Sequence, residues 1–573
     1  MAGAVSRGRS LVPGAAPPPD GAAPPDARAR RTVAKSDDFP SPTDAGCQVG
    51  DYLLAAARAD GGRLAVVCGT IELSYAAFAE RALRLAAALA ARGVAPGDRV
   101  AYLGPNCHAL LEAYFGVPWA GAVLVPLHAR LTRPELAALL RDAAPTALLV
   151  DTAWVRRLPA EALAAIPVRV VVGANGGDGW LDYEALVAGQ GTAPEAPVVD
   201  RDGSRVRDGM TTEQGVAEMF YTSGSTGQPR AAMLTGGNLI ANAAGVREAL
   251  ELGPDDMVLH ALSLFHANGW GFPHAAVMAG ATQVVLRKFV PRATLELAAA
   301  RRTTVTYVVP TMARALVETR GPTSRELALR WLVVGGAAST PELAAAAEAR
   351  LGATFVGSYG LTETSPVLTL ATLLPEMHEW PREARLRQQA AAGRPTAGAC
   401  LRVVDAVGRS VPADGAATGE VQVAGPLVMA GYWQRPAETV AAFTPDGWLR
   451  TGDLATVDRW GYLRIVARQK ELIDCGGDKV APAEIERVLA AHPAVREAAV
   501  VPVPHVRWGQ APAALVVLRP GATADPTTLR RHCARHLAAF KVPRAIHVVA
   551  RLPHTATGKL ARARLRLPRP SGR

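Results

Sequence analysis

The chain is poor in cysteine and in aromatic residues, and both shortages narrow the function classes. Six cysteines lie far apart in 573 residues, and none belongs to a CxxC pair. This pattern argues against a disulfide framework or a zinc ribbon and fits a reducing, cytoplasmic compartment. Aromatic residues make up 5% of the chain and are not interleaved with basic residues, which argues against nucleic-acid binding. The net charge of +11 keeps a non-catalytic nucleotide- or nucleic-acid-binding protein as an alternative.

The chain also lacks an uninterrupted hydrophobic run long enough to cross a membrane. The two long uncharged stretches, residues 113–129 and 269–286, both contain internal glycine and proline. We therefore expect buried helix–turn–strand segments there and no membrane span. Residues 1–45 are dominated by alanine, proline and glycine, and no apolar segment follows Arg7 and Arg9. This tail is predicted to be disordered and not to act as a secretory signal.

From residue 51 onward, helical patterns alternate with short apolar runs such as RVAYLG, ALLVD and WLVVGG. Continuous apolar runs are typical of parallel strands that helices cover on both faces. The sequence therefore predicts an α/β fold with a large N-terminal domain of several subdomains over residues 46–469, in which helices flank parallel-rich sheets. A further strand–helix alternation predicts a small α+β C-terminal domain over residues 470–573.

The most informative segment is MFYTSGSTGQPR at residues 219–230, where an apolar strand enters a loop of small and hydroxylic residues. In such a loop, backbone N–H groups turn inward and hydroxyl groups add donors around a phosphate. The loop consists of Thr222, Ser223, Gly224, Ser225, Thr226 and Gly227. Arg230 adds a positive charge at its exit. Walker, GxGxxG and GxSxG patterns are absent from the chain, which argues against a dinucleotide oxidoreductase and a serine hydrolase.

Further motifs follow this loop in order along the chain. They are LFHANGW at 264–270, GGA at 335–337, GSYGLTET at 357–364, GYW at 431–433, WLRTGD at 448–453, RQKE at 468–471 and PHTATGK at 553–559. Together with the loop, the series resembles the adenylate-forming (AMP-binding) superfamily over roughly residues 50–565. Within that superfamily it is most similar to the medium- and long-chain fatty acyl-CoA synthetases.

The resemblance implies an ATP-dependent acid–CoA ligase that works in two steps. A carboxylic acid and ATP first form an acyl-adenylate and pyrophosphate, and the acyl group then passes to the thiol of CoA. The implied cofactors and substrates are ATP, Mg²⁺, CoA and a small-molecule carboxylic acid. The negative charge that gathers at the reacting phosphate must be offset by cations and fixed donors.

The resemblance also implies roles for individual residues. The implied catalytic residues are Lys559, His266, Thr362 and Glu363. Beyond the loop and Arg230, the implied nucleotide-binding residues are Gly335, Gly336, Ala337, Ser358, Tyr359, Gly360, Leu361, Thr362, Asp453, Arg468 and Lys559. Asp453 and Arg468 would bind the ribose, and Tyr359 would offer a flat face to adenine.

Metal, thiol and hinge residues follow from the same resemblance. Thr226 and Glu363 would bind Mg²⁺, and Lys559 would bridge the carboxylate and the α-phosphate. Gly476 and Gly477 would let the pantetheine arm of CoA pass close to the backbone. Lys470 would be the hinge about which a mobile C-terminal domain rotates between the two steps.

The sequence departs from the family pattern at several positions. Arg230 and Ala231 stand where the family usually has lysine and glycine, and His128 stands where asparagine is common. A guanidinium keeps the charge but is bulkier and forked, so we expect altered phosphate geometry with activity retained. Residues 478–479 and 504–510 depart from the pattern at the CoA end.

The substrate and the acceptor stay partly open. His266 stands where amino-acid adenylation domains place an aspartate, so an α-amino acid would lack its counter-charge and a fatty or other non-amino acid is favoured. An acyl carrier protein is an alternative acceptor, since the basic run 559–573 suits either partner. The sequence does not determine the oligomeric state, and a homodimer is one alternative.

His532, Cys533 and His536 have metal-ligand spacing, but flanking arginines favour the polar face of a helix.

Overall fold

Parallel strands covered by helices make up most of the fold, as the continuous apolar runs predicted. The structure, a computed structural model, describes residues 48–173, 177–188, 215–223, 229–266, 269–475, 478–506, 509–554 and 560–568. The tail predicted to be disordered lies outside these residues.

The strands and helices follow each other along the chain as in a large α/β protein. The strands are β1 (Leu64–Cys68), β2 (Ile71–Ser74), β3 (Arg99–Leu103), β4 (Val123–Leu127), β5 (Ala147–Asp151), β6 (Val168–Val172), β7 (Leu181–Asp182), β8 (Val216–Ser223), β9 (Pro229–Thr235), β10 (Met257–His260), β11 (Thr282–Val285), β12 (Val305–Val308), β13 (Trp331–Val334), β14 (Thr354–Tyr359), β15 (Thr369–Leu370), β16 (Arg394–Pro395), β17 (Cys400–Val404), β18 (Gly419–Ala424), β19 (Gly431–Tyr432), β20 (Leu449–Val457), β21 (Leu463–Arg468), β22 (Ile473–Cys475), β23 (Asp478–Val480), β24 (Val495–His505), β25 (Gly509–Leu518) and β26 (Ala545–Val548). The α-helices are α1 (Val49–Asp60), α2 (Tyr75–Ala90), α3 (His108–Trp119), α4 (Arg133–Ala143), α5 (Thr152–Val155), α6 (Ala160–Ala164), α7 (Tyr183–Ala188), α8 (Gly236–Ala249), α9 (Phe272–Met278), α10 (Pro291–Ala300), α11 (Pro310–Glu318), α12 (Pro341–Leu351), α13 (Arg382–Gln389), α14 (Pro436–Ala442), α15 (Pro482–Ala490) and α16 (Pro526–His536).

The two largest sheets are mainly parallel. One has the order β16-β15-β14-β13-β12-β10-β11-β1-β2, and its strands from β14 to β1 pair in parallel. The other has the order β19-β9-β8-β4-β3-β5-β6-β7, and its strands from β8 to β7 pair in parallel. The predicted α/β fold class with parallel-rich sheets is therefore confirmed.

Two smaller sheets complete the described fold. The strands β17, β18, β20 and β21 form an antiparallel sheet, and β22 to β26 form a mixed sheet accompanied by α15 and α16. The predicted small α+β arrangement near the C-terminus is therefore confirmed. The chain changes sheet between the end of β21 and the start of β22, close to residue 470. The domain boundary at 470 stays a prediction.

The two long uncharged stretches fold as buried helix–turn–strand segments. The first is α3 followed by β4, and nearly every residue in it is buried. The second is α9 followed by β11, with both elements fully buried. Within the described ranges, none of the helices combines the length and the hydrophobicity that crossing a membrane would require.

A glutamate–histidine pair lies in the core, next to the strand that leads into the predicted phosphate loop. Glu218, on β8, is fully buried, and His274, on α9, is almost fully buried. His274 Nε2 lies 3.1 Å from Glu218 Oε1. Burial raises the pKa of Glu218, and the neighbouring His274 opposes that rise. The pair therefore links α9 to the strand that leads into the loop, and His274 offsets part of the cost of burying the carboxyl group.

Replacing one member of this pair should destabilise the protein more than replacing both. His274→Leu leaves an uncompensated carboxylate in the core, which costs about 3–5 kcal/mol for a broken buried pair. Glu218→Leu combined with His274→Leu leaves no buried charge and should recover most of that loss. Thermal unfolding midpoints of the single and double variants measure the difference. Additive losses in the double variant would contradict a coupled pair.

Candidate active site

The predicted nucleotide-binding segments meet at the carboxyl-terminal edge of the nine-stranded sheet. β13 and β14 pair in parallel, and segments 335–337 and 358–363 lie at their C-terminal ends. A Cβ atom at Gly335 would lie 3.2 Å from the backbone oxygen of Ser358, so the two segments are in close contact. Gly336 has a φ of +81°, a left-handed conformation that favours glycine. Ligands of open α/β sheets bind at this kind of edge.

A short 3₁₀ turn, Thr362–Thr364, follows β14 and presents Glu363. The backbone N–H of Met429 donates to the backbone oxygen of Glu363 over 3.0 Å and fixes the turn. A Cβ atom at Gly360 would lie 1.8 Å from the backbone oxygen of Pro366. Glycine is therefore required at this position for the chain to enter the turn.

Asp453 is the centre of a hydrogen-bonded group that joins two sheets. The side chain is 2% exposed, and both of its carboxylate oxygens accept a hydrogen bond. The hydroxyl of Tyr359 donates to Oδ2 over 2.8 Å, and Nε of Arg468 donates to Oδ1 over 2.9 Å. Burial raises the pKa of the Tyr359 hydroxyl, and the charge of Asp453 raises it further. The structure thus brings together the three residues for which the sequence predicted contacts with adenosine.

Arg468 carries its charge in spite of partial burial. Burial alone would lower the pKa of its guanidinium, but the carboxylates of Asp453 and Glu471 outweigh that effect and raise it. The side chain is therefore a permanent cation beside Asp453. It can turn from the carboxylate toward a ribose hydroxyl without changing its charge.

The predicted phosphate loop is the connection between two antiparallel strands. In the β8–β9 hairpin, Thr222 lies opposite Arg230 and Ser223 lies opposite Pro229. The hydroxyl of Thr222 donates to the backbone oxygen of Arg230 over 3.3 Å. The tip at residues 224–228 lies outside the described residues. The predicted roles of Gly224, Ser225, Thr226 and Gly227 therefore stay predictions.

Tyr432 connects the cation of the loop to the predicted metal-binding carboxylate. The guanidinium carbon of Arg230 lies 4.2 Å from the centre of the Tyr432 ring, and Nη1 of Arg230 lies 3.2 Å from Oε2 of Glu438. The Tyr432 hydroxyl donates to Oε1 of Glu363 over 2.8 Å. Sequence reasoning assigned no role to Tyr432 or Glu438. The first lies in the GYW motif and could have been singled out, whereas the second carries no sequence signal.

His266 lies in a tight turn after β10, where the acyl-pocket motif was predicted. The backbone N–H of Trp270 donates to the His266 oxygen over 3.1 Å, and the Tyr307 hydroxyl donates to the Gly269 oxygen over 2.6 Å. The centre of the His128 ring lies 6.5 Å from that of His266. Burial lowers the pKa of His128, so this neighbour tends to be neutral. The two imidazoles thus face one region of the fold.

The segment after Lys559 is tied to the region of the predicted hinge. Nε of Arg562 lies 3.0 Å from Oε2 of Glu471, which directly follows Lys470. Nη1 of Arg562 also lies 2.8 Å from Oε1 of Glu486, on α15. Arg562 has no motif signal and was missed by sequence reasoning. Its two ion pairs bring the chain just beyond Lys559 close to the end of β21.

Other predicted residues divide into described and undescribed ones. Ala337 is exposed beside the glycine pair, and Leu361 and Thr362 are half-buried in the turn that presents Glu363. Lys559, Gly476 and Gly477 lie outside the described residues.

Cys533 is fully buried in the core, so the prediction that it lies on a polar helix face is wrong. In the described part of the chain, no group of three potential ligands is placed to hold a metal ion.

Comparisons with known proteins match most of this chain. A family model described as AMP-binding enzyme matches residues 53–433, and one described as AMP-binding enzyme C-terminal domain matches residues 484–559. A long-chain-fatty-acid–CoA ligase of Thermus thermophilus is 37% identical over 500 residues, covering 86% of this chain and 89% of that protein. A feruloyl-CoA synthase of an Amycolatopsis species is 37% identical over 521 residues, covering 90% of this chain and 98% of that protein.

A solved structure extends the similarity to three dimensions. ATP-bound MatB from Rhodopseudomonas palustris superposes with a TM-score of 0.78 at 30% sequence identity, covering 90% of this chain and 98% of that one. The match therefore includes nearly the whole of both chains.

Removing the carboxylate at the centre of the site should weaken ATP binding. Asp453→Ala removes the acceptor that we assign to the ribose, and a hydrogen bond to a charged group contributes about 1.5–3 kcal/mol. We expect the KM for ATP to rise about 10- to 100-fold, measured by ATP–pyrophosphate exchange. Asp414→Ala is the matched control, because Asp414 is exposed and its carboxylate accepts from the backbone N–H groups of Ala416 and Ala417 in its own turn. An unchanged KM in Asp453→Ala would contradict the assignment.

Proposed function

The chain belongs to the AMP-binding enzyme family and is an acid–CoA ligase of that family, and on this premise we propose how its residues carry out the reaction. In the first step, a carboxylate oxygen attacks the α-phosphorus of ATP, and the bond from that phosphorus to the bridging oxygen of pyrophosphate breaks. In the second step, the thiol of CoA attacks the acyl carbon, loses its proton and releases AMP. Atoms and charges balance in both steps without any redox partner.

The observation that carries this proposal is the group formed by Tyr359, Asp453 and Arg468. A carboxylate that is almost buried and held by two donors is a prepared acceptor for a pair of hydroxyl groups. The ribose of ATP presents such a pair. The group lies beside the turn that presents Glu363 and at the carboxyl ends of parallel strands, where the triphosphate can extend toward the β8–β9 hairpin.

Arg230 and Glu363 would act on the phosphates. The guanidinium of Arg230 is held in place by the Tyr432 ring and by Glu438, so its donors keep a fixed direction. Mg²⁺ fits the carboxylate of Glu363, because carboxylate oxygens are hard ligands and one of them is already oriented by Tyr432. When bound there, the ion would offset negative charge on the phosphates.

His266 limits the class of acid. An α-amino acid brings an ammonium group that needs an anion beside it, and His266 is not one. The second imidazole nearby, His128, is also uncharged or cationic and adds no anion. We therefore propose a fatty, aromatic or other carboxylic acid without an α-amino group as the substrate.

The C-terminal residues would serve both steps in turn. Lys559 would neutralise charge between the carboxylate and the α-phosphate, and rotation about Lys470 would then replace it with the path for CoA. The ion pairs of Arg562 support this proposal, because they hold the segment after Lys559 near the predicted hinge. We also propose a cytoplasmic location, in agreement with the free thiols of Cys68, Cys107, Cys400, Cys475 and Cys533.

A pyrophosphate-release screen tests the proposed reaction. The purified protein is incubated with ATP, Mg²⁺ and a panel of fatty, aromatic, dicarboxylic and amino acids. Release should depend on the acid, should be at background for α-amino acids, and should continue through many turnovers only with an added thiol. CoA and a phosphopantetheinylated carrier protein are compared as acceptors. Acid-independent release, or release with amino acids alone, would contradict the proposal.

The two half-reactions should respond differently to loss of Lys559. Lys559→Ala should lower the rate of adenylate formation at least about 100-fold, the scale on which one electrostatic group at a transition state contributes. Conversion of supplied acyl-AMP and CoA to thioester should change less than about threefold, because Lys559 has left the site in that step. Lys559→Arg serves as the charge-preserving control. Equal losses in both half-reactions would argue against the rotating-domain account.

A further inference from the structure

A cleft of about 500 Å³ lies outside the candidate active site, between two groups of elements. One wall is formed by the start of α12, by α13 and by β21, and the opposite wall is formed by α15 and α16. Five of its twelve lining residues are arginine or histidine. They are Arg387, Arg464, Arg487, His532 and His536, and Glu342 is the acidic residue among the lining side chains.

The guanidinium groups of the cleft repel each other. Arg464 donates to the backbone oxygen of Arg387 over 3.0 Å and to Oε1 of Gln388 over 2.6 Å, and both of these partners are neutral. Burial lowers the pKa of Arg464, Asp458 opposes that effect, and the charges of Arg487 and Arg387 lower the pKa further. Arg387 pairs with Glu383 on its own helix. Arg487 forms no ion pair with any described residue. Arg487 is therefore the arginine of the cleft whose charge has no carboxylate partner among the described residues.

The histidines of α16 line the same cleft. The ring of His532 lies 4.9 Å from that of His536 and 5.1 Å from that of His492, measured between centroids. Nε2 of His532 donates to the backbone oxygen of Val488 over 2.9 Å. Burial, and then the neighbouring imidazoles and Arg535, lower the pKa of His532. A bound anion would favour the protonated form of His532.

An unpaired hydroxyl gives a second, independent sign of a missing ligand. The Oγ atom of Ser339 is buried and has no hydrogen-bond partner among the described residues. It lines the cleft at the start of α12, an eleven-residue helix capped by Thr340. A buried hydroxyl without a partner costs about 1–3 kcal/mol, and the start of a helix attracts negative charge. Both features suit an oxyanion placed between Ser339 and the guanidinium groups.

We propose that this cleft binds a phosphate-bearing anion at a site separate from the nucleotide site. Arg464 precedes Arg468 by four residues on β21, so the cleft lies about 13 Å along the strand from the Asp453 group. In the proposed function, the triphosphate of ATP extends from Asp453 toward the β8–β9 hairpin. Two kinds of ligand carry such a phosphate group. One is inorganic pyrophosphate or phosphate, and the other is the phosphorylated nucleotide end of CoA.

An anion bound in the cleft would connect the segments before and after the predicted hinge. Arg487 belongs to the segment that follows the predicted hinge, whereas Arg464 and Ser339 belong to the segment before it. An anion between them would hold α15 and α16 against β21. Any effect of this contact on the two half-reactions rests on the proposed function, but the binding site itself does not.

Binding of the anion to the cleft is measured by isothermal titration calorimetry while the ATP site is filled. The full chain is saturated with Mg²⁺ and α,β-methylene-ATP, which cannot release pyrophosphate by adenylate formation. Pyrophosphate, orthophosphate and adenosine 3′,5′-bisphosphate are then titrated separately. Binding of the inorganic anions identifies the first source, and binding of the bisphosphate alone identifies the second. Absence of binding for all three would overturn the proposal.

Variants of the cleft connect the binding signal to its residues. Arg487→Gln should weaken binding at least about tenfold, and Arg487→Lys should restore most of it. Ser339→Ala should weaken binding about 10- to 100-fold, as expected for one hydrogen bond to a charged group. Arg530→Gln is the matched control, because Arg530 is exposed on α16 and does not line the cleft. Equal affinities in Arg487→Gln and Arg530→Gln would overturn the proposal, whatever the outcome of the acid screen.

Discussion

The carboxylate of Asp453 is the constraint on which the rest of the site depends. A buried charge is tolerated only where donors replace the water that it has lost. Here the donors come from two sheets, since Tyr359 ends β14 of the nine-stranded sheet and Arg468 ends β21 of the antiparallel sheet. Satisfying one carboxylate therefore fixes the relative position of both sheets. Arg468 also immediately precedes the turn that contains Lys470, so the same hydrogen bonds set where the C-terminal segment begins.

Much of this architecture could be predicted from local sequence patterns. Strands such as β5 and β13 are continuous apolar runs because both of their faces are covered, and that environment leaves a direct trace in the sequence. The uncharged stretch 113–129 could be divided into α3 and β4 because Gly121 and its neighbours interrupt it. The motif segments were found because small residues are needed where backbones approach closely, as at Gly335 and Gly360.

Contacts between distant segments could not be predicted in the same way. Glu218 and His274 lie 56 positions apart, and a sequence pattern contains no information on which strand faces which helix. The ion pairs of Arg562 and the walls of the cleft depend in the same way on how whole elements pack. Cys533 illustrates the converse case: arginines flank it along the chain, but a helix turns successive residues by about 100°, so its side chain still points into the core.

The arginine at position 230 shows how a departure from a family pattern is accommodated by its neighbours. A lysine would present a point charge on a flexible stem, whereas the flat guanidinium needs a surface and an anion that hold its plane. Tyr432 supplies the surface at 4.2 Å and Glu438 supplies the anion at 3.2 Å. Because the hydroxyl of the same tyrosine donates to Glu363, the guanidinium of Arg230 and the carboxylate of Glu363 share one rigid ring. A change of residue at 230 would therefore be felt at Glu363 through Tyr432, without any direct contact between the two charges.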